Sequence, residues 1–171
     1  MRRVLFVVGV AVAVAGVGAT SASAAPVGEF AYAAEAGATP LSGSARWVAP
    51  ADEVGVWESG GAVKVDASSA DGWDWARVEL SAPAGEQLHE GTYVGARHRG
   101  QADPQLDSPG FFVARGTRSG ALGCIDDQAD FTISQLTRAG DGSIVDLEAT
   151  FVERCGGPDA PAATGEVHFH G

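Results

Sequence analysis

Basic residues, cysteines and long apolar runs are all scarce in this chain. Only 11 of its 171 residues are Lys or Arg, against 22 Asp or Glu, and the net charge is −11. A surface so acidic repels phosphate backbones and anionic headgroups, which argues against nucleic acid and membrane surfaces as partners. Two cysteines are too few for a four-thiolate zinc site. No G-x-S-x-G elbow occurs; Gly116-Thr117-Arg118-Ser119-Gly120 has the wrong spacing for the sharp strand-to-helix turn of a serine hydrolase. The 24 glycines include no phosphate-cradling loop and fall at turns instead. No long internal repeat is present, which excludes solenoids and propellers. The sequence therefore names no catalytic residue and implies no cofactor.

The one long apolar run is N-terminal. Met1-Arg2-Arg3 is followed by apolar and small residues from Val4 to Ala19, fewer than the roughly 20 that a spanning helix needs. Ala22-Ser23-Ala24 then supplies an A-x-A site, and this order of regions is that of a secretory signal peptide. An uncleaved anchor is the competing reading, but no charged flank follows the run. We expect residues 1–24 to be removed by cleavage after Ala24. A cut after Ala25 would put Pro26 next to the scissile bond. Residues 25–171 are then a single secreted, extracellular domain with no membrane attachment. That mature chain keeps 9 basic and 22 acidic residues, a net charge of −13.

Cys124 and Cys155 both lie in the exported part, and an oxidising compartment favours their pairing. Closing a loop of this length is worth about 3–4 kcal/mol in the chain-entropy picture. A redox pair or a nucleophilic thiol is the alternative; no C-x-x-C spacing points to it.

The dominant period of the mature chain is two. Phe30, Tyr32 and Ala34 alternate with Ala31, Ala33 and Glu35. Val54 and Val56 precede Ser59-Gly60-Gly61, and Val63 and Val65 follow it, as in two strands around a tight glycine turn. Ala76, Val78 and Leu80 alternate with Trp75, Arg77 and Glu79 until Pro83 ends the run. Leu88, Thr92, Val94 and Ala96 mark an extended segment, and Phe111 to Ala114 a short apolar one. The clearest hairpin runs from Phe131 through Asp141-Gly142 to Phe151, with the cysteines flanking it. Val167 and Phe169 make a last strand. About nine or ten short strands without a helix predict an all-β domain, a two-sheet antiparallel β-sandwich of Ig-like or jelly-roll type. The disulfide would fasten the outer ends of the hairpin or join it to a neighbouring sheet. Long loops are expected at Gly37 to Gly43 and Gly100 to Gly110.

Three constellations bear on function. Trp73 and Trp75 are two apart, so on a strand they share a face with Arg77 and Glu79, a platform on which sugar rings stack; buried packing between sheets is the competing reading. Glu166, His168 and His170 alternate on the last strand and offer a metal three ligands on one face, with His89 or His98 as a fourth; the bland reading is a solvated polar face. Asp126, Asp127 and Asp130 cluster after Cys124, but their spacing does not match a calcium loop. With 22 acids, no glycosidase-type carboxylate pair can be picked out.

A wider pattern joins these positions. Trp75 to Pro83, with Gly85, Leu88, Gly91, Tyr93 and Ala96, reads W-x4-L-x-A-P-x-G-x2-L-x2-G-x-Y-x2-A. Pro109-Gly110, Gly123-Cys124, Asp130-Phe131-Thr132, Gly142, Val145, Leu147, Phe151, Arg154-Cys155 and Ala163-x-Gly165-x-Val167 continue it. Over about residues 50–169 the chain resembles a family of exported bacterial single-disulfide β-sandwich domains that occur alone or beside immunoglobulin-like repeats. The resemblance implies a fold and an exported location, and lends no catalytic residue. Leu122-Gly123-Cys124-Ile125-Asp126-Asp127 departs from it, since those relatives tend to carry a basic residue and an asparagine around the Cys. The expectation from sequence is a non-catalytic binding or surface-interaction module with an extracellular glycan or protein partner. The alternatives are a carbohydrate-binding or carbohydrate-active protein using Trp73 and Trp75, and a metal-binding protein using Glu166, His168 and His170.

Overall fold

The computed structural model describes residues 27–98 and 107–171. The signal peptide at 1–24, its cleavage site and most of the loop expected at Gly100 to Gly110 lie outside the described residues. Within them the protein is all-β, with eleven strands and no helix. They are β1 (Val27–Ala34), β2 (Ser44–Val48), β3 (Glu53–Ser59), β4 (Ala62–Ser68), β5 (Trp75–Ser81), β6 (Gly91–Arg97), β7 (Gly110–Thr117), β8 (Gly120–Gly123), β9 (Asp127–Arg138), β10 (Ile144–Cys155) and β11 (Ala162–His170).

The local patterns form the strands they predict. Gly60 and Gly61 take positive φ of 62° and 74° and join β3 to β4 in register Ser59↔Ala62, a two-residue loop that side chains with a Cβ adopt at a cost. At the other hairpin Gly142 has φ 88°, and Asp141 Oδ1 accepts from the backbone N–H of Ser143 at 2.9 Å. Cys124 and Cys155 are bonded, with Cα atoms 5.7 Å apart. The bridge ties the end of β10 to the segment leading into β9, the outer-end placement anticipated from sequence.

The strands do not divide into two separate sheets. They form one hydrogen-bonded path in the order β2-β1-β11-β10-β9-β6-β7-β5-β4-β3, with β8 added on β7. Every pairing is antiparallel except β6–β7, a single parallel bridge between Arg97 and Gly110. That bridge joins the six-strand and four-strand halves. At the far edge, the missing side chain of Gly28 lets β1 lie against β3; a Cβ there would stand 2.8 Å from Val54 Cβ. The sheet is thus rolled nearly into a barrel. Alternation tells which side chains point inward, but not whether strand ends meet, so it did not distinguish this roll from a sandwich.

The interior is a chain of aromatic rings. Phe30 stacks on Trp47 and Phe151 at centroid distances of 5.7 and 6.3 Å. Phe151 reaches Phe111 at 5.3 Å, Phe111 reaches Phe131 at 6.4 Å, and Phe131 stacks on Tyr93 at 4.7 Å. Phe111 comes from β7, so its two contacts hold the halves together where the backbone supplies one bridge. Each fully buried ring contributes about 1.5–3 kcal/mol. One end of this core is closed by Arg115 of β7. Its guanidinium lies 5.0 Å from the Trp47 ring centroid, and its Nε donates to Tyr32 Oη at 3.0 Å. Nη1 donates to the Trp75 carbonyl at 2.9 Å, and Nη2 pairs with Asp74.

Register shifts in β6 and β10 break the simple alternation. In β6 an irregularity between Tyr93 and Ala96 places Gly95 at φ 66°. Tyr93 and Ala96 are buried while Val94 is exposed, so the row Thr92, Val94, Ala96 read from sequence is not one face. In β10 the shift between Ile144 and Asp146 buries Ile144 in place of Val145.

Candidate functional site

The outer side of β3, β4 and β5 carries a recess lined by charged and aromatic side chains. Val54 and Val56 pack on the core, so alternation sends Gly55 and Trp57 outward. Register then sets Gly55 opposite Asp66, Asp66 opposite Arg77, and Trp57 opposite Lys64. Arg77 Nε and Nη2 donate to the two Asp66 carboxylate oxygens at 2.5 Å each, a bidentate pair. The same guanidinium stands 5.9 Å from the Trp57 ring centroid. Lys64 Nζ reaches Glu79 at 3.2 Å one step along.

Trp75 opens β5 and faces Gly116 across the ladder. Its indole lies flat over that glycine; a Cβ on Gly116 would fall 2.2 Å from the ring. This seat fixes the ring as one wall of a cleft of about 680 Å³, with Gly55 on the floor and Glu53, Asp66 and Arg77 also lining it. A Cβ at Gly55 would meet nothing closer than the Trp57 ring at 3.9 Å. An aromatic wall, an open floor and convergent charged groups are the usual makings of a small-ligand site.

Trp73 is placed differently. It lies in the turn before β5 and is 54% exposed. Asp71 builds that turn, accepting from the Trp73 backbone N–H at 3.2 Å and from Arg118 Nη2 at 2.5 Å. The hydrogen bonds from Ser69, Trp73 and Arg118 hold the Asp71 carboxyl below its ordinary range. Arg118 lies 5.4 Å from the Trp73 ring. Trp73 and Trp75 therefore line separate recesses, and the tryptophan on the same outer face as Trp75 is Trp57, two rows along the register. The phase of Val54 and Val56 carried that signal.

Glu166, His168 and His170 do share one face of β11, as strand alternation requires. Register sets Glu148 opposite His168 and Asp146 opposite His170. Glu148 stands between the rings: one oxygen bonds His168 Nδ1, the other is 3.2 Å from His170 Nε2. His170 Nδ1 pairs with Asp146 at 2.9 Å, and His168 Nε2 lies 3.8 Å from Glu166. Partial burial of His168 favours its neutral form, but the Glu148 hydrogen bond and the charges of Glu148, Glu166 and Glu29 outweigh it and raise its pKa. The His170 hydrogen bond lowers that of Asp146. His89 is engaged with Tyr93 Oη at 3.1 Å, and His98 lies beside Phe112 and Asp127, so neither joins this face.

The acid cluster after Cys124 also separates. Asp130 accepts the Gly95 backbone N–H at 2.8 Å. Asp127 turns into the core, 1% exposed, beside Glu153 of β10, which is fully buried. Among the described residues neither carboxyl has a hydrogen-bond partner, and His98 Nδ1 stands 3.8 Å from Asp127. Burial first, and then the neighbouring carboxyl, push Asp127 up to about 8; burial pushes Glu153 up to about 7. Glu153 had a sequence signal: it falls in phase with the buried row Leu147, Ala149, Phe151. A charged residue on an apolar phase is the anomaly that marks it.

No protein-family model, curated protein or solved structure matches the chain.

Proposed function

We propose that the protein is an exported, non-catalytic binding module that takes a saccharide in the cleft beside Trp75. The observation that carries the reading is the cleft that the seated Trp75 lines together with Gly55, Asp66 and Arg77, the last two held as a bidentate pair. A pyranose ring offers an apolar face to an indole and hydroxyls to a fixed carboxylate–guanidinium pair, so this mixture suits sugars better than purely apolar ligands. The signal-peptide pattern, the disulfide, the acidic mature chain and the family resemblance support an extracellular setting. In this reading the rolled sheet works as a flattened, sandwich-like pair of layers, with β7-β5-β4-β3 presenting the binding face.

The test is a screen of the oxidised protein against soluble oligosaccharides, including bacterial cell-wall glycan fragments. It should be run beside Gly55→Val, which fills the floor with a residue that strands favour. The reading predicts a glycan that binds more tightly than about 1 mM and a loss of about tenfold or more in Gly55→Val. Absence of any such glycan, or equal binding by the filled variant, contradicts it.

A further inference from the structure

The buried carboxyls stand beside the disulfide. One Glu153 oxygen and the sulfurs of Cys124 and Cys155 all lie within 4.8 Å of one another. Asp127 is opposite Cys155 in the β9–β10 ladder, and two carboxyls buried side by side without a hydrogen-bond partner favour holding a proton over ionising. The charged groups facing the pair among the described residues are His98, at the end of β6, and Asp126, ahead of β9. A disulfide that only staples two segments has no use for these acids; apolar side chains would fill the space without desolvating a carboxyl. Thiol–disulfide exchange does have a use for them, because the sulfur that departs as a thiolate needs a proton at the moment the bond breaks.

We propose that Cys124–Cys155 is a redox centre that exchanges with an external dithiol, with the Glu153 carboxyl as proton donor to the departing sulfur and Asp127 as the residue that positions this proton. Cys155 is half-buried and Cys124 fully buried, which sets the order. A thiolate of the dithiol attacks Cys155 Sγ, forming a mixed disulfide and breaking the Cys124–Cys155 bond. Cys124 Sγ leaves with the electron pair and takes the Glu153 proton. The second sulfur of the dithiol, deprotonated by water, attacks its own partner sulfur in the mixed disulfide. Cys155 leaves as a thiolate and is protonated from water, and the dithiol departs as a disulfide. Glu153 regains its proton from solvent. Two electrons pass from the dithiol to the protein, and the two protons that the dithiol loses are balanced by two gained at Cys124 and Cys155. In the oxidising direction the Glu153 carboxylate takes the Cys124 proton.

The experiment follows reduction of the native protein by dithiothreitol between pH 5 and 9, counting alkylated thiols by mass spectrometry and dividing each rate by the thiolate fraction of the reagent. The proposal expects a rate first-order in dithiothreitol. The corrected rate should be highest below the pair's titration, at about 7 to 8, and fall above it. In Glu153→Gln, which keeps the volume and removes the proton, the corrected rate should drop about tenfold or more below pH 7 and become flat with pH. Asp127→Asn retains the donor and should displace the midpoint; an unmoved midpoint overturns its positioning role. A rate that saturates with dithiothreitol means that unfolding exposes the bond, and overturns the proposal. So does a Glu153→Gln profile that superimposes on the native one.

Discussion

Asp127 and Glu153 lie on neighbouring antiparallel strands with both carboxyls inside the core, and among the described residues the cation-forming group near the pair is His98, whose Nδ1 is 3.8 Å from Asp127. The pair holds a proton that the unfolded chain releases near pH 4. Folded pKa values of about 8 and 7 mean that the native state binds more protons than the unfolded state between those limits. The slope of stability with pH is therefore negative there: no cost exists below about pH 4, and the cost grows until the folded groups have ionised. Thermal melts should show Tm falling between pH 5 and 8. Asp127→Asn should flatten that fall and raise Tm at pH 8, by about 2–4 °C for each kcal/mol recovered. A native Tm that climbs over this range would contradict the buried pair.

Gly116 is the seat of Trp75. A methyl group there would stand 2.2 Å from the indole, so Gly116→Ala must lift the ring out of place. We expect a loss of about 1–3 kcal/mol in urea unfolding, in line with overpacking. The loss should be accompanied by a red shift in tryptophan emission as the displaced indole meets water. Unchanged stability and emission would mean that the ring does not rest on Gly116.

Arg115 seals the interior at Tyr32 and Trp47. Replacing it with Ala strips the donor from Tyr32 Oη and from the Trp75 carbonyl, and leaves Asp74 without its cation. The expected loss is about 2–4 kcal/mol, since two partly buried acceptors and stacked packing go together. A double-mutant cycle with Tyr32→Phe should give a coupling of about 0.5–3 kcal/mol. Additivity within error would separate the two residues.

Much of this fold could be read along the chain, because burial of one strand face imposes period two. The rows Phe30–Tyr32, Val63–Val65, Ala76–Val78–Leu80 and Leu147–Ala149–Phe151 are buried as their spacing requires. Ser59-Gly60-Gly61 and Asp141-Gly142 turn where glycine permits positive φ. What alternation does not encode is closure. The Arg97–Gly110 bridge and the approach of Gly28 to Val54 are long-range contacts, and they turn the expected two sheets into one rolled sheet. The irregularity at Gly95 inverted the phase at Val94. Trp73 was placed on a strand that begins at Trp75, because the Asp71 turn depends on Arg118, 47 residues away. Glu153 was legible and overlooked: it occupied an inward phase, and its chemistry became visible only when Asp127 and the disulfide were brought beside it.

The most direct test of the binding site uses the four tryptophan indole N–H signals of 15N-labelled protein, assigned by single Trp→Phe substitutions at positions 47, 57, 73 and 75. Titration with the tightest-binding saccharide from the screen should shift Trp75, and Trp57 with it, in a saturable manner, while the buried Trp47 stays in place. A titration in which Trp75 does not move, or in which Trp73 alone responds, contradicts the cleft beside Trp75 as the site.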